Sequence, residues 1–339
     1  MKITREFLFA EGAYFPSCHA STVLPLDDGI VLAAYFAGER ESADDVGIWL
    51  SRRADGVWEA PVRIAKVSDS AHWNPVLMPI PGGVRIIFKV GRRIPQWRSW
   101  TSVSMDAGLN WTDPEPCPGF DAASGPVRSK PLYLADGSLL APNSVETEAA
   151  WRPRIDTSFN YGESFPVTSW IPMDKAPEGA SAGEHVITGK GAIQPTLWES
   201  EPGHIHALLR TTQGHIFRSD SADYGRSWCK AYNTGLPNNN SGIDIAQLDG
   251  RLYLAMNPVS GNWADRTPLV IMVSGDNGRT FAHFVTLEDI KDDPALEAPS
   301  HNRRCSAEFS YPAIVAKDGR LHVTYTYLRR RICYRVIVP

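Results

Sequence analysis

Two arginines have the chemistry to bind an anionic group. Arg210 lies in LLRTTQGHIFRS and Arg266 in NWADRTPL, each within or just after an apolar segment. A guanidinium can bind a carboxylate through two parallel hydrogen bonds, so two arginines that face one point would form a carboxylate clamp. The alternative is that each arginine forms a structural ion pair with a carboxylate such as Asp244 or Asp265.

Three further residues have side chains suited to proton transfer. His19 lies in CHASTVLPLDDG, His72 in SAHWNPVL and Tyr311 in EFSYPAIV. Imidazole gains and loses a proton near neutral pH, which makes histidine a common general acid or base. Trp73, beside His72, offers an aromatic face for a sugar ring. The alternative is that the histidines are hydrogen-bonded core residues and that the tyrosine packs in the interior.

Lysine and asparagine side chains add candidates for ligand binding. Lys89 (IFKVG) and Lys130 (VRSKPL) lie in apolar or turn segments, and we expect both to face a central channel. Asn239 and Asn240 belong to the run NNNSG, whose amides either recognise sugar hydroxyls or form a turn. Three cationic residues before the last apolar strand are expected at the rim of the same site: His301, Arg303 and Arg304.

The elements that must position these residues are marked by a repeated tight turn. The turn precedes six short apolar strands, at Asp28-Gly29, Gly82-Gly83, Asp136-Gly137, Pro202-Gly203, Asp249-Gly250 and Asp318-Gly319. Asp-Gly and Gly-Gly pairs supply the positive φ angles that two-residue hairpin turns require. The six copies therefore predict six β-hairpins.

A second repeat, S-x-D-x-G-x-x-W/F, follows the hairpins in register. Three clean copies, one degenerate copy and one shorter variant occur at 104–111, 221–228, 274–281, 158–165 and 51–58, respectively. The Asp or Asn caps its own turn, the Gly takes the left-handed position, and the aromatic side chain packs under the sheet. Because this is turn chemistry, the repeat predicts the fold and not the reaction.

Repeats of about 50 residues with little helical periodicity predict an all-β fold, a six-bladed β-propeller of four-stranded antiparallel blades. We expect a single domain over residues 1–339. The expected blades are 17–60, 70–120, 127–172, 190–235, 240–288 and 306–339. A strand near 3–10 should pair with the last blade and close the ring, which removes exposed sheet edges. The segments 172–189 and 286–305 are expected to be loops between blades.

The bulk composition excludes several function classes. A net charge of −4 and an isoelectric point of about 6.1 provide no basic surface for nucleic acid or an anionic membrane. The five cysteines have neither zinc-site spacing nor an even count, so we expect no metal or organic cofactor. With no signal-peptide pattern and no run of about 18 apolar residues, the expected location is the cytoplasm. The oligomeric state is not specified by the sequence.

The S-x-D-x-G-x-x-W turns resemble the Asp-boxes of the sialidase (neuraminidase) superfamily, whose members are also called BNR-repeat proteins. The resemblance covers nearly the whole chain. It implies a site on the propeller axis where three arginines bind the carboxylate of a sugar. It also implies a tyrosine nucleophile paired with a glutamate, an aspartate as acid and base, and an anionic mono- or oligosaccharide as the partner.

Carried over position by position, the resemblance implies roles for several residues of this chain. Arg210 and Arg266 match the second and third arginines of the family. The aspartate position falls on Asp44 or Asp45, in SADDVGIWLSRR. The matched positions imply the same carboxylate clamp that the residue types suggest on their own.

Two positions depart from the family pattern. His19 occupies the place of the first arginine, and Gln194 occupies that of the glutamate, sixteen residues before Arg210. The tyrosine position falls on Ser310, with Tyr311 beside it. A phenol has a pKa near 10 and needs a proton acceptor at neutral pH, which the amide of Gln194 cannot be.

Three functions remain open. The first, which we favour, is a sialidase-like, exo-acting enzyme that cleaves the glycosidic linkage of a terminal carboxylated sugar. The second is a lyase that acts on a uronic acid by β-elimination, and the third is a non-catalytic glycan-binding propeller. The expected catalytic residues are His19, Asp45, His72 and Tyr311. The expected substrate-binding residues are Arg210, Arg266, Gln194, Lys89, Lys130, Asn239 and Asn240.

Overall fold

The six glycine turns form the hairpins that the sequence predicts. In the computed structural model, which describes residues 1–292, 296 and 307–339, each turn joins the first two strands of an antiparallel sheet. Asp28 and Gly29, for example, have φ angles of 57° and 74°. These positive angles reverse the chain within two residues.

Strands make up nearly all of the regular structure. An N-terminal strand, β1 (Lys2–Phe7), precedes the first sheet. Blade one contains β2 (Ser17–Pro25), β3 (Val31–Gly38), β4 (Gly47–Ala54), β5 (Val57–Trp58) and β6 (Val62–Ala65). Blade two contains β7 (His72–Ile80), β8 (Gly83–Val90), β9 (Arg98–Ser104) and β10 (Glu115–Pro116). Blade three contains β11 (Leu132–Tyr133), β12 (Leu139–Glu146), β13 (Trp151–Ser158) and β14 (Val167–Trp170).

The segment between blades three and four is not simply a loop. It contains β15 (Asp174–Ala176) and β16 (Val186–Thr188), which pair in parallel and correct the prediction for 172–189. Blade four contains β17 (Ala192–Glu201), β18 (His204–Thr211), β19 (His215–Ser221) and β20 (Tyr232–Pro237). Blade five contains β21 (Asp244–Leu248), β22 (Arg251–Met256), β23 (Leu269–Ser274) and β24 (Ala282–Glu288). Blade six contains β25 (Phe309–Lys317), β26 (Arg320–Tyr327) and β27 (Arg331–Val338).

The helical elements of the described residues are three short 3-10 turns, at Asp27–Gly29, Ile94–Gln96 and Ile290–Asp292. Within the described part of the chain, no helix is long and apolar enough to cross a membrane. Cys18, Cys117, Cys229 and Cys333 form no disulfide with one another. The fifth cysteine, Cys305, lies outside the described residues.

The six sheets form the predicted six-bladed β-propeller. The first strand of each blade lies nearest the axis, where β2 contacts both β7 and β25. Strand β1 pairs with β27, from Lys2 opposite Val338 to Phe7 opposite Cys333. The predicted closure of the ring by the N-terminal strand is therefore confirmed.

The blades are apolar on both faces because each is covered by two neighbours. In β8, the consecutive residues Ile86, Ile87 and Phe88 are all fully buried. A continuous apolar run of this kind is typical of a strand that packs on both sides. The core therefore lies between the blades, as a set of apolar clusters around the ring.

The second sequence repeat forms the turn between the third and fourth strands. Ser104 Oγ donates to Asp106 Oδ1 (2.9 Å), and the amide of Gly108 donates to Ser104 Oγ (2.9 Å). The copies at 158–165, 221–228 and 274–281 repeat both hydrogen bonds. A Cβ on Gly108 would lie 2.8 Å from a methyl group of Leu32, so the glycine allows this turn to pack closely on the preceding blade.

Each blade has one non-glycine residue with positive φ near the start of its first strand. These residues, here called the axial bulge positions, are Ala20 (53°), Asn74 (43°), Arg128 (68°), Gln194 (52°), Asn240 (57°) and Tyr311 (52°). In blades one, two, four and six the pairing register shifts at this residue, which marks a β-bulge. A bulge redirects a side chain out of the regular alternation of a strand.

Candidate active site

A cavity of about 520 Å³ opens at one end of the propeller axis. Its walls come from two parts of the blades, the start of the first strand and the connection between the second and third strands. Because the strands are antiparallel, these two parts lie at the same end of a blade, opposite the Asp-Gly turns. The topology therefore brings residues from all six blades to this axial cavity.

Arg210 lies at the end of β18 and borders the cavity, although it is only 2% exposed. Its Nε donates to Asn240 Oδ1 (2.8 Å). One terminal nitrogen, Nη1, donates to Gln194 Oε1 (2.9 Å) and to Tyr311 Oη (2.6 Å). All three partners are neutral, and within the described residues Arg210 has no carboxylate partner. Asp244, one candidate for that role, pairs with a lysine instead.

Arg266 also lies close to the ring of Tyr311 but has a different environment. Its Nη1 donates to Glu308 Oε1 (2.5 Å), and Arg329 Nε donates to Glu308 Oε2 (2.7 Å). Arg329 also forms a short ion pair with Glu41. We call these four residues the ion-pair cluster. Burial opposes ionisation of Glu308, but the guanidiniums of Arg266 and Arg329 lower the pKa of its carboxyl well below the ordinary value.

Tyr311 lies between the two groups of charges. The centroid of its ring lies 5.5 Å from Cζ of Arg210, 5.3 Å from Cζ of Arg266 and 5.4 Å from Cζ of Arg128. Its hydroxyl accepts the hydrogen bond from Arg210, so its own proton can point to another acceptor. Of the four expected catalytic residues, Tyr311 is the one that lines the cavity.

His19 lies behind Tyr311 and does not line the cavity. The two ring centroids are 4.2 Å apart, and His19 Nδ1 shares a hydrogen bond with Thr326 Oγ1 (2.9 Å). Burial and the positive charge of Arg329 lower the pKa of His19 well below its ordinary value. His19 is therefore a neutral group that supports the tyrosine ring, which corrects the expectation that it reaches a substrate.

The structure also keeps Asp45 and His72 away from the cavity. Asp45 is exposed, and its Oδ2 accepts a hydrogen bond from the amide of Glu39 (2.8 Å), which caps a turn. His72 is fully buried; its Nδ1 pairs with Ser70 O (2.8 Å), and its Nε2 accepts from the amide of Val67 (2.9 Å). Burial lowers the pKa of His72 to about 4. Neither Asp45 nor His72 lines the cavity, so neither can contact a ligand there, and the catalytic roles expected for them are corrected.

Both lysines are internal and bind protein groups instead of a ligand. Lys89 Nζ donates to Ser99 Oγ (2.6 Å) and to Ala123 O (2.8 Å), and burial lowers its pKa to about 8. Lys130 Nζ donates to Asp244 Oδ1 (2.9 Å). Neither lysine lines the axial cavity. The expectation that Lys89 faces a central channel is wrong, because its ammonium group lies between blade two and the connection to blade three. Lys130 of blade three contacts Asp244 of the non-adjacent blade five, so its ammonium group does lie near the axis, although outside the cavity.

The asparagine run supports the site from behind. Asn239 Nδ2 donates to Asp265 O (2.7 Å), so this amide holds a connection in blade five. Asn240 accepts from Arg210 and donates through Nδ2 to Asn262 Oδ1 (2.8 Å). Neither amide lines the cavity. Asn240 orients Arg210, which replaces the expectation that it binds a sugar hydroxyl.

Glu146 is a buried carboxyl group on the cavity wall, at the end of β12. It is 8% exposed, and its hydrogen bond within the described residues comes from Ser144 Oγ (3.3 Å). Burial raises the pKa of Glu146, although the positive charge of Arg210 opposes the shift. A carboxyl group in this environment keeps its proton to higher pH than an exposed glutamate, as a general acid must.

Aromatic side chains cover much of the remaining wall. Trp73 and Trp97 pack on each other with ring centroids 5.5 Å apart. Trp151 and Trp263 form an edge-to-face pair at 6.2 Å on the other side. Trp263 is 44% exposed at the mouth of the cavity. The cavity therefore combines aromatic surfaces with many charged and polar side chains.

Sequence reasoning missed several charged residues of the site, of which four matter most for its electrostatics: Glu41, Glu146, Glu308 and Arg329. Three of them lie in or beside the connection between a second and a third strand, as Arg266 does. Each glycine turn marks the start of a second strand. Charged residues one strand length after that turn could therefore have been predicted to lie at the cavity end of the blade. The three rim residues expected before the last strand lie outside the described residues: His301, Arg303 and Arg304.

No group of three or more His, Cys, Asp or Glu side chains is arranged to hold a metal ion in the described ranges. The site chemistry in these ranges comes from guanidinium, carboxyl, amide and phenol groups.

The chain belongs to a known family. A family model described as a BNR repeat-like domain matches residues 29–323, and the protein is a BNR-repeat member of the sialidase superfamily. A search of curated proteins found no significant match to the chain.

Solved structures with similar folds include sialidases. A Hadza microbial sialidase has a TM-score of 0.76 at 13% identity, over 99% of this chain and 68% of that one. The Trypanosoma rangeli sialidase has a TM-score of 0.71 at 13% identity, over 100% of this chain and 60% of that one. A Dyadobacter fermentans protein of unknown function has a TM-score of 0.71 at 12% identity, over 98% of both chains. At this level of identity the likeness establishes the fold.

Proposed function

We propose that this protein binds the carboxylate of a terminal sugar in the axial cavity and cleaves the glycosidic bond of that sugar. The observation that carries the proposal is the environment of Arg210, a nearly buried guanidinium whose partners within the described residues are neutral. The sialidase-like fold and the family favour a glycan as the ligand.

The energetics of Arg210 favour an anionic ligand. Burial of an unpaired charge costs several kcal/mol, even after the protein relaxes around it. Gln194, Asn240 and Tyr311 compensate part of this cost and fix the plane of the guanidinium. A carboxylate in the cavity would supply the missing negative charge and accept hydrogen bonds from the fork.

The apolar walls favour a sugar over a small inorganic anion. Trp73, Trp97 and Trp151 line the cavity and are nearly buried. Flat aromatic surfaces suit the C–H faces of a pyranose ring, while the arginine binds its charged substituent. The cavity volume of about 520 Å³ suits one sugar residue with a short extension at the mouth.

Glu146 is the proton donor in the proposed hydrolysis. Its protonated carboxyl gives its proton to the glycosidic oxygen as the bond from that oxygen to the anomeric carbon breaks. A water molecule then bonds to the anomeric carbon and loses a proton, which restores the Glu146 carboxyl. Tyr311 contributes its hydroxyl on the cavity floor, where it can stabilise the positive charge that develops on the sugar ring.

A uronate lyase is the second candidate, and the neutral side chain of Gln194 beside Arg210 favours it. Elimination needs a neutralised carboxylate, so that a base can remove the proton on the adjacent carbon. The electron pair then forms a carbon–carbon double bond as the glycosidic oxygen leaves from the next carbon. Hydrolysis adds water to the product, whereas elimination leaves an unsaturated uronate that absorbs ultraviolet light.

Binding of carboxylated sugars tests the proposed role of Arg210. Calorimetry would measure the affinity of the wild type and of Arg210→Ala for three sugars: N-acetylneuraminic acid, D-glucuronic acid and neutral D-galactose. Loss of a charge-assisted hydrogen bond should weaken the binding of the carboxylated sugar by about 100-fold. Arg226→Ala is the matched control, because Arg226 is exposed in an outer turn. If the wild type and Arg210→Ala bind the carboxylated sugar with equal affinity, Arg210 does not bind its carboxylate.

Product analysis separates the two reactions. The purified protein would be incubated with sialylated and uronate-terminated oligosaccharides, and the products would be examined by mass spectrometry and ultraviolet absorbance. Products whose summed mass exceeds that of the substrate by one water molecule support hydrolysis. Products whose summed mass equals that of the substrate, one of which absorbs ultraviolet light, support elimination. Binding without any product from either substrate class would contradict cleavage and leave the glycan-binding function.

A further inference from the structure

The insert between blades three and four contacts the rim of the axial cavity through one glutamate. Glu178 lies in the connection between β15 and β16, and its Oε1 accepts a hydrogen bond from Asn262 Nδ2 (3.2 Å). Asn262 precedes the rim residue Trp263 in the connection between β22 and β23 of blade five. The insert is therefore joined to a part of the rim that lies 84 positions further along the chain.

The hydrogen bond of Glu178 is the last of three that begin at Arg210. Arg210 Nε donates to Asn240 Oδ1 (2.8 Å), and Asn240 Nδ2 donates to Asn262 Oδ1 (2.8 Å). Asn262 Nδ2 then donates to Glu178. We call these four residues the amide relay, because two side-chain amides connect a guanidinium to a carboxylate.

The two ends of the amide relay fix the direction of every hydrogen bond in it. A guanidinium only donates, so Asn240 must turn its oxygen toward Arg210 and its NH₂ group toward Asn262. A carboxylate only accepts, so Asn262 must turn its NH₂ group toward Glu178 and its oxygen toward Asn240. The requirements of the two ends agree. Hydrogen bonds that all point the same way polarise and strengthen one another.

Burial makes the orientation of the inner amide important. Arg210 is 2% exposed and Asn240 is fully buried, whereas Glu178 is exposed on the insert. A reversed Asn240 would place its NH₂ group against the N–H of Arg210, and the buried donors could not replace the lost hydrogen bond with water. A carboxylate at the surface thus controls the surroundings of a buried guanidinium.

We propose that Glu178 is a positioning residue for Arg210. Its carboxylate sets the orientation of the two amides and, through them, the plane of the guanidinium that receives the sugar carboxylate. Glu178 itself does not line the cavity, so it acts without contact to the ligand. The inference rests on the proposed function, since that function makes Arg210 the residue that binds the ligand.

The test replaces the acceptor at the outer end of the relay with a donor. Glu178→Lys presents an ammonium group, which only donates, so Asn262 and Asn240 must reverse and Arg210 loses its acceptor. Binding of N-acetylneuraminic acid or D-glucuronic acid, whichever the wild type binds in calorimetry, should weaken about tenfold. If Glu178 acted only through its charge, the same substitution would tighten the binding of an anion. Tighter or unchanged binding would therefore overturn the inference.

A second substitution should rescue the first. Asn262→Asp provides a group that accepts both from Asn240 and from the ammonium group of Glu178→Lys. The protein with both substitutions should bind the sugar within about twofold of the wild type. Charge alone predicts the opposite, because an added carboxylate near the cavity repels an anion. If the double variant binds no better than Glu178→Lys, the relay does not control Arg210.

Glu184→Lys is the matched control for the change of charge. Glu184 is an exposed residue of the same insert and is not part of the amide relay. Glu184→Lys should bind the sugar at least as tightly as the wild type does. A loss equal to that of Glu178→Lys would show that any lysine on the insert has this effect, and the inference would fail.

A measurement without ligand keeps this inference distinct from the proposed function. In protein that contains isotope-labelled arginine, NMR measures how fast the Nε–H proton of Arg210 exchanges with water, and Arg210→Lys assigns the signal. Exchange should be slow in the wild type, about tenfold faster in Glu178→Lys and slow again in the double variant, because a protected proton needs its acceptor.

The outcomes separate the two proposals. Sugar binding that depends on Arg210, together with exchange and affinity that do not change in Glu178→Lys, would overturn this inference alone. The expected exchange pattern in a protein that binds none of the sugars would support the amide relay and overturn the proposed function alone. A protein with neither sugar binding nor this exchange pattern would overturn both.

Discussion

Glu146 is a buried glutamate and Glu308 a half-buried one near the same axial cavity, and their surroundings shift their pKa values in opposite directions. Burial raises the pKa of Glu146, which lies on the cavity wall. Glu308 contacts two guanidiniums directly, and its pKa is lowered despite burial. The two carboxyl groups differ in their contacts: Glu308 bonds directly to guanidiniums, whereas Arg210 affects Glu146 only through its charge.

The comparison assigns different work to the two sides of the cavity. On one side, Arg266 and Arg329 are neutralised within the protein by Glu308 and Glu41, so that part is a fixed structural wall. On the other side, Arg210 is oriented by neutral groups and Glu146 keeps a proton. Environments that move two carboxyl pKa values apart are the usual way in which a site obtains an acid at neutral pH.

Removal of the charge on Glu308 should give the largest effect. Glu308→Gln leaves two half-buried guanidiniums without their shared partner, which should lower the free energy of unfolding by about 3 kcal/mol at pH 7. Urea denaturation measures the change. Glu41→Gln is the control, since the Glu41 side chain is 38% exposed and its loss should cost less than about 1 kcal/mol.

The effect of Glu308 should also depend on pH. Its pKa in the folded protein lies below the value of about 4.3 in an unfolded chain. The stabilisation by its carboxylate is thus complete above that value and declines as the pH falls toward the folded pKa. The difference between wild type and Glu308→Gln should shrink below about pH 4, and a constant difference there would contradict the cluster.

Glu146→Gln should affect catalysis instead of lowering stability. Loss of a proton donor should reduce the rate on a natural glycoside about 100-fold. The loss should be much smaller on a 4-nitrophenyl glycoside, whose leaving group needs no proton. Glu148→Gln is the matched control, because Glu148 is an exposed residue of the same cavity. Equal losses on both substrates would show that Glu146 is not the donor.

The stability of the Glu146 variant has a predicted sign as well. Because the pKa of Glu146 is raised in the folded protein, its contribution to stability is lost as the pH rises through that value. Glutamine cannot ionise, so as the pH rises above about 4.3, the ordinary value for glutamate, the melting temperature of Glu146→Gln should fall less than that of the wild type. A parallel decline of both proteins would contradict the raised pKa.

Gln194→Glu would make the two sides of the cavity alike, with a smaller effect. A carboxylate at the distance of the present amide oxygen, 2.9 Å from Arg210 Nη1, would neutralise the guanidinium. Binding of a carboxylated sugar should then weaken about tenfold, as measured by calorimetry. Gln194→Met removes the hydrogen bond without adding charge and should weaken binding less. Tighter binding of the carboxylated sugar by Gln194→Glu would contradict the argument that neutral partners leave Arg210 available to a carboxylate.

The fold could be predicted from the sequence because its signals are local. Each Asp-Gly turn and each S-x-D-x-G-x-x-W turn is encoded within eight residues, so copies such as 104–111 could be recognised without any tertiary information. The short parallel pair β15 and β16 was missed, because it forms between segments without alternating polarity.

The site was only partly predictable, because its contacts join distant parts of the chain. Arg210 and Tyr311 were identified by residue type and context, and the structure brings them within 2.6 Å of each other. The partner of Arg266 was not identified, since nothing near Glu308 in the sequence indicates an ion pair across 42 positions. His72 and Lys89 were misassigned because burial and backbone hydrogen bonds cannot be read from a short segment.

The bulges at the start of the first strands separate the chemistry of this protein from its architecture. One backbone conformation holds alanine, asparagine, arginine, glutamine and tyrosine in different blades, so the scaffold is largely indifferent to the side chain there. New specificities can therefore be sought by randomising the three of these codons whose side chains line the cavity, those of Asn74, Gln194 and Tyr311, with the hairpins left unchanged. In a protein built in this way, the residues that contact a ligand can be changed while the scaffold that positions them stays the same.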